Sequence, residues 1–372
     1  MPPGYVVTVL LLAWGTWCTV TPVHWRPGGK LRYLCSLQLS ELPVLGIYLL
    51  AADTALSLAL GDVTNAGGVA AVVVAGIAAG ALLVVARRQW SAGEVTTAAL
   101  ARDLDIPRPR PASRAVLVLP RSSRRLDIAV SRNLAYGDMG RSHLLDVYRR
   151  RSGASAAPVF VHLHGGAFRS GSKMWQARPL LYGLARRGWV CVSANYRLAP
   201  HASRLDALED VKRLVAWVRA NVQEYGGSPD RILLGGSSAG AHLAALAALT
   251  PDEPRFQPGF EAADTSVAAA VCLYGLYGPE FFRGPDANVV PLTTVRPDAP
   301  PFLVAHGDRD SLLPATEAHR FVTALRQVSQ SPVVYVELPG AQHGFDTFRS
   351  IRADNLTAAI ATFEEARVRT AG

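Results

Sequence analysis

The sequence predicts an α/β fold, a mostly parallel sheet with helices on both faces, preceded by a helical transmembrane region. Three observations carry this expectation. From about Leu126 onward, short apolar runs of strand length alternate with segments of helical period, the pattern of a parallel sheet covered on both sides. Three apolar stretches of near-spanning length crowd the first ninety residues. A glycine-flanked serine, Gly236-Ser237-Ser238-Ala239-Gly240, falls between a strand-like and a helix-like segment of the alternation.

The length of 372 residues exceeds one average domain, and the reading divides it into a transmembrane region (1–90), a connector (91–125) and an α/β domain (126–372). The chain is 49% hydrophobic, with the excess concentrated at the N-terminus. Its net charge of +9 comes from scattered arginines rather than basic runs, which argues against nucleic acid as a partner and leaves some attraction to anionic lipid. Cys18, Cys35, Cys191 and Cys272 form no C-x-x-C pair and no zinc-type spacing with histidine. They read as free, small apolar residues, and no metal or organic cofactor is implied.

The first apolar stretch runs from Tyr5 to Val23 and lacks the basic leader of a secretory signal, so it reads as a span. The second, Leu42 to Leu60, carries Asp53, which costs about 2.5–3.5 kcal/mol at a bilayer centre and is expected to face a neighbouring helix or a thinned interface. The third, Ala66 to Ala86, has no charge and ends on Arg87-Arg88; its Gly76 and Gly80 have the spacing that admits a close helix neighbour. Arg26, Lys30 and Arg32 lie between spans one and two, whereas only Asp62 lies between two and three. The positive-inside rule then predicts a multi-pass protein of the cell membrane with its N-terminus outside and its C-terminal domain in the cytoplasm. Oligomeric state is not fixed by these features. Within the connector, Glu94 to Leu104 has helical character, and the Pro/Arg run from Ile106 to Pro111 excludes regular helix.

In the α/β part, Val159–Leu163, Trp189–Ala194, Arg231–Leu234, Val267–Leu273, Pro301–Ala305 and Val333–Leu338 read as strands. Asp206–Val222, Ala239–Leu249 and Pro314–Gln327 read as helices. Ser238 therefore stands at a sharp strand-to-helix turn, where flanking side chains would collide and glycine is needed two residues to either side. Ser237 does not fit, because centring on it puts Ala239 where a glycine is required. Upstream, His164-Gly165-Gly166-Ala167 follows a strand, and its glycines either form an ordinary turn or aim backbone N–H groups at a developing oxyanion. The amides of Gly165, Gly166 and Ala239 are the expected donors, with His164 holding the loop.

A serine nucleophile at such a turn needs a base and an acid later in the chain. His242 lies one turn into the following helix, too close to swing over Ser238, and His319 falls on an amphipathic helix with a surface role. His306 ends a strand. His343 lies on the glycine-bounded loop after the last strand and is the expected base. Asp308 and Asp310, in the loop after the penultimate strand, both suit the acid that fixes the histidine tautomer.

Five ordered segments then carry a family resemblance: His164-Gly165-Gly166, Asn195-Tyr196-Arg197-Leu198-Ala199-Pro200, Gly236-Ser237-Ser238-Ala239-Gly240, His306-Gly307-Asp308-Arg309-Asp310 and Gln342-His343-Gly344-Phe345. From about Asp127 to Glu364 the chain resembles α/β-hydrolase carboxylesterases related to hormone-sensitive lipase, in particular actinobacterial lipase/esterases with N-terminal spans. The resemblance implies the α/β-hydrolase fold, a triad of Ser238, His343 and Asp310, and hydrolysis of a small-molecule ester or lipid through an acyl-enzyme. The chain departs from the family pattern at Ala167, where a third glycine is frequent, and at Arg204-Leu205, where a Phe-Pro pair is usual. Phe281 and Phe282 are expected either to line an acyl pocket or to cover the sheet edge. An amidase is the nearest rival, because Ser238-Ala239-Gly240-Ala241-His242 also resembles arylformamidases. A catalytically silent membrane scaffold is the rival from another class.

Overall fold

Eight strands form one mixed sheet among the described residues, two at one edge running antiparallel to their neighbours and the rest parallel. The computed structural model describes residues 3–21, 29–112, 126–153, 155–251 and 253–371. The strands are β1 (Ile128–Ala135), β2 (Leu144–Arg150), β3 (Ala157–Leu163), β4 (Val190–Ala194), β5 (Gly227–Ser237), β6 (Ala269–Leu273), β7 (Phe302–Gly307) and β8 (Val333–Leu338). In the order β1-β2-β4-β3-β5-β6-β7-β8, β2 is antiparallel to both β1 and β4, and every pairing from β4 across to β8 is parallel. The strands β4, β6 and β7 are buried along their whole length, as continuous apolar runs covered on both faces must be.

Helices α5 (Arg178–Arg186), α6 (Arg204–Asn221), α7 (Ala239–Leu249), α8 (Thr316–Val328) and α9 (Ile351–Ala371) cover the sheet. α6 starts where the sequence supplies a capping box: Ser203 accepts from the Asp206 amide while Asp206 accepts from the Ser203 amide. α7 is buried at every position, which explains its run of alanine and leucine. Two expected boundaries, Ala239–Leu249 and Val333–Leu338, match the structure. β1, β2, α5 and α9 were not marked out by the apolar pattern.

Before the sheet lie α1 (Pro3–Val20), α2 (Gly29–Glu41), α3 (Pro43–Ala59) and α4 (Ala66–Leu104). Two of them, α1 and α4, are long and apolar enough to cross a membrane, and α2 with α3 forms a pair bent by 88° that passes the same test jointly. Tyr5, Val9, Leu50, Ala71, Ala75, Ala78 and Leu82 make the core of this bundle. The tightest packing centres on Leu39 of α2, whose methyl groups lie 2.8 Å from where a Cβ would stand on Gly15 and on Gly46. The Gly76 and Gly80 positions, by contrast, have nothing within 4 Å.

Two features differ from the sequence reading. The helix that holds the third apolar stretch does not stop at Arg87-Arg88: α4 is one helix of 39 residues, capped by the Asn65 side chain, that runs on to Leu104. No proline interrupts it, and beyond the apolar stretch it packs on α9 and β8. α2 occupies sequence read as an inter-span loop, and it is a helix because its buried face has a docking surface in the α/β part. Asp53 is half-buried. Arg26, the end of the first stretch at Val23 and residues 113–125 of the connector lie outside the described residues.

Candidate active site

Ser238 is the single residue between β5 and α7. It has φ +56° and ψ −117°, a backbone state that costs a side-chain-bearing residue about 1–3 kcal/mol and persists only when its surroundings impose it. They do so here through two glycines. A Cβ on Gly236 would stand 2.2 Å from the Gly240 carbonyl oxygen, and one on Gly240 would stand 2.1 Å from the Leu163 carbonyl oxygen. The Ser238 amide donates to Leu273 O on β6 at 2.9 Å, which holds the turn against the sheet.

The loop after β8 brings His343 to this serine: its Nε2 is 3.0 Å from Ser238 Oγ. Its Nδ1 is 2.7 Å from Asp310 Oδ2, in the loop after β7. Asp310 also accepts from the Leu312 and Leu313 amides through Oδ1 and lies 3.2 Å from His306 Nε2. Burial alone would raise this carboxyl; the His343 charge and hydrogen bonds from His306 and His343 outweigh it and hold it well below the usual carboxylate range. Asp308 does not reach His343. Its Oδ1 accepts from the Gly340 amide at 2.6 Å, and its pKa is raised by burial.

The loop after β3 lies beside the serine, with the Gly165 Cβ position 3.0 Å from Ser238 Cβ. Gly166 has φ +124°, and any side chain there would strike Ser170 O at 2.0 Å. Among the described residues the amides of Gly166 and Ala239 donate to no protein acceptor. Gly165 departs from the expectation: its N–H donates to Gln176 Oε1 at 2.6 Å and is already engaged. His164 does brace the loop, stacking on Tyr196 at 4.4 Å while Tyr196 OH donates to His164 O at 2.7 Å. Burial pushes its imidazole down to about 4.

Beneath the turn is a buried polar network that no sequence motif marks. Ser237 Oγ donates to Asp346 Oδ2 at 2.5 Å and lies 2.9 Å from His162 Nε2; Tyr274 OH donates to Asp346 Oδ1. The Tyr274 ring meets His343 edge-on at 4.5 Å. Burial raises the Asp346 carboxyl and pushes the His162 imidazole down to about 3. The mismatch of Ser237 with the motif was the one available signal of this network. Gln342 was likewise missed: its Oε1 accepts from both the Ser311 amide at 2.6 Å and the His343 amide at 2.9 Å, tying the two loops together.

On the other side of the turn, Phe282 packs 5.0 Å from His242 and 6.1 Å from Phe168, with the Arg204 guanidinium 4.2 Å over its ring. Phe281 is half-buried beside it. His242 is fixed between Leu276 O and Arg204, and burial with the Arg204 charge pushes it down to about 3. His319 is exposed and pairs with Glu337 at 2.6 Å. All four cysteines are free. Among the described residues no cluster of metal-ligating side chains occurs.

The BD-FAE family model matches residues 145–282, which include the β3 loop and Ser238. The probable carboxylic ester hydrolase LipM of Mycobacterium tuberculosis is 45% identical over 265 residues, 64% of this chain and 61% of the relative. Esterase LipC of the same organism is 42% identical over 262 residues, 62% of this chain and 64% of the relative. The chain thus spans somewhat over six-tenths of the length of these curated relatives. Among solved structures, butyrate-bound esterase Est2 of Thermogutta terrifontis superposes with a TM-score of 0.55 at 25% identity, covering 68% of this chain and 96% of that one. In fold the chain is an α/β-hydrolase, and in sequence it resembles mycobacterial carboxylic ester hydrolases.

Proposed function

We propose that the chain is a membrane-anchored serine hydrolase that cleaves carboxylic esters by acyl transfer. The observation that carries this reading is the hydrogen-bonded series Ser238–His343–Asp310, assembled from three separate loops on a strained turn. A proton on His343 Nδ1 directed at Asp310 leaves Nε2 as the acceptor facing Ser238. Ser238 Oγ attacks the ester carbonyl while Nε2 takes its proton, and the Gly166 and Ala239 amides receive the oxyanion. The intermediate collapses with cleavage of the ester C–O bond, and His343 protonates the departing alkoxide. Water, deprotonated by His343, then attacks the acyl-serine; the carboxylic acid leaves and the proton returns to Ser238. The residues require no cofactor for these steps.

The substrate class is a short-to-medium acyl ester or a lipid, with Phe282 and Phe168 as apolar walls near the β3 loop and Phe281 as a further candidate. The apolar helices α1 and α4 support a site held beside a bilayer, where such esters partition. Arg88 packs against Gly340, immediately before the His343 loop, so the basic middle of α4, where its apolar stretch ends, lies on the side of the α/β part. With Arg32 on α2, this supports a multi-pass arrangement whose α/β part faces the cytoplasm.

The test is fluorophosphonate labelling of the full-length protein alongside turnover of p-nitrophenyl esters and matched formamides. Ser238→Ala is expected to abolish labelling and turnover while Ser237→Ala remains labelled. Labelling that follows Ser237 overturns the nucleophile, faster formamide turnover favours the amidase, and an unlabelled wild-type protein favours the scaffold.

A further inference from the structure

Helix α2 meets the His343 loop directly. The Tyr33 ring stands 6.1 Å from the His343 ring at an interplanar angle of 73°, and its hydroxyl lies 2.9 Å from where a Cβ would stand on Gly344. One turn on, Ser36 Oγ accepts from Gln342 Nε2 at 3.3 Å, the same Gln342 that binds the Ser311 and His343 amides. At the end of α2, Glu41 pairs with Arg352 at 2.7 Å with both side chains fully buried, and Arg352 also donates to Ser40 O and Pro339 O. α4 joins the same point, Gln89 donating to Ser40 O at 2.5 Å. The helix is thus bonded to the base loop at its middle, through Ser36 and Gln342, and to α9 at its C-terminal end, through Glu41 and Arg352.

The opposite face of α2 carries Leu31 and Leu34, 60% and 56% exposed. The helix turns by 88° into α3. If α3 stands along the bilayer normal, α2 lies in the plane of the membrane, with its leucines on the side away from His343. Gln38 is exposed on the same side, so this outward surface pairs leucines with a polar group, a composition suited to the boundary between lipid and water. The adjoining helices also carry exposed apolar residues, Trp14 and Trp17 on α1 and Leu45 and Leu49 on α3.

We propose that the outer face of α2 sits in the lipid surface and that its inner residue Tyr33 roofs the site, so that the ester passes from the bilayer along α2 to Ser238. The inference rests on the ester-hydrolase reading and narrows it to esters held in the membrane. About one helix diameter, 10 Å, then separates the lipid surface from the catalytic imidazole. An acyl chain remains in lipid while its carbonyl reaches the serine. Tyr33 acts as a positioning residue for that chain.

The test uses the full-length protein in phosphatidylcholine vesicles. The substrates are p-nitrophenyl laurate dissolved in the lipid and p-nitrophenyl acetate in the water. The double variant Leu31→Ser, Leu34→Ser is expected to raise KM for laurate about ten-fold or more with kcat little changed, while acetate turnover stays within about two-fold. Tyr33→Ala is expected to lower laurate turnover more than acetate turnover, with Tyr33→Phe restoring it. Parallel loss of both esters in these variants, or no change in either, overturns the proposal. A nitroxide at Leu34→Cys in a Cys35→Ser background reads lipid contact without turnover: greater accessibility to oxygen than to a nickel chelate is expected, and the reverse overturns the proposal. Wild-type protein that hydrolyses neither ester contradicts the ester reading instead, and the nitroxide result still decides where α2 lies.

Discussion

Asp308 and Asp310 sit two residues apart in one loop, yet their carboxyls do different work. Asp310 faces His343 and is held ionised by it, whereas Asp308 caps the Gly340 amide on the far side of the loop. Asp310→Asn is therefore expected to lower kcat by about 10³–10⁴, because the amide no longer selects the histidine tautomer. Asp308→Asn removes only a turn contact and is expected to leave kcat within about ten-fold. Steady-state kinetics on both variants, with thermal melts to show that each is folded, checks this; equal losses would contradict the assignment. At this scale the sequence was legible where residues sit in ordered, glycine-bounded segments, as Ser238 and His343 do. It was silent on Asp346, whose partners Ser237 and Tyr274 lie 109 and 72 residues away, since no local spacing links them. The Gly165 amide misled for a related reason: its acceptor, the Gln176 side chain, belongs to another turn.

Among the elements, the β5–α7 turn is the most tightly determined. Gly240 touches the end of β3, so that strand and the turn are placed against each other by the absence of a side chain. Gly240→Ala forces a methyl group into the Leu163 carbonyl and is expected to destabilise the fold by about 2–3 kcal/mol while shifting Ser238 from His343. Chemical denaturation together with fluorophosphonate labelling rates measures both effects, and an alanine variant of wild-type stability would show that the turn yields more readily than its contacts imply. Elements such as β3, β6 and α7 could be read from sequence because burial on every side demands uninterrupted apolar runs. β1 could not, because it is an edge strand with mixed exposure whose arginine and asparagine break any period. α2 could not, because its apolar period is weak and its docking partners, Gln342 and Arg352, lie some three hundred residues later.

For the molecule as a whole, the buried histidines make stability depend on pH. His162, His164 and His242 titrate near 3 to 4 in the fold against about 6.5 when exposed, so between those values the unfolded chain binds the protons. Their contribution is complete above about pH 6.5 and is lost on acidification, each at up to about 1.4 kcal/mol per pH unit. Asp310, with its depressed carboxyl, adds to the loss below about pH 4, whereas Asp346, raised by burial, offsets part of the histidine loss above about pH 4, where the fold binds its proton and the unfolded chain does not. Melting temperature is expected to fall steeply between pH 6.5 and about 4.5, and His162→Gln to remove about one third of the slope. A flat profile would contradict the buried neutral state. The fold was legible at this scale as a sheet preceded by apolar helices, but the join between them was not, because a helix can pass from apolar to polar composition without changing shape. That join is α4. At about 1.5 Å per residue its 39 residues measure about 58 Å, roughly twice the hydrocarbon thickness, and its outer half is bolted to α9 and β8. In the membrane-anchored arrangement proposed above, it would act as a rigid stilt, with the height of the triad above the bilayer set by a count of residues. A thicker or thinner membrane tilts the bundle, and with it the mouth of the site, rather than lengthening a tether.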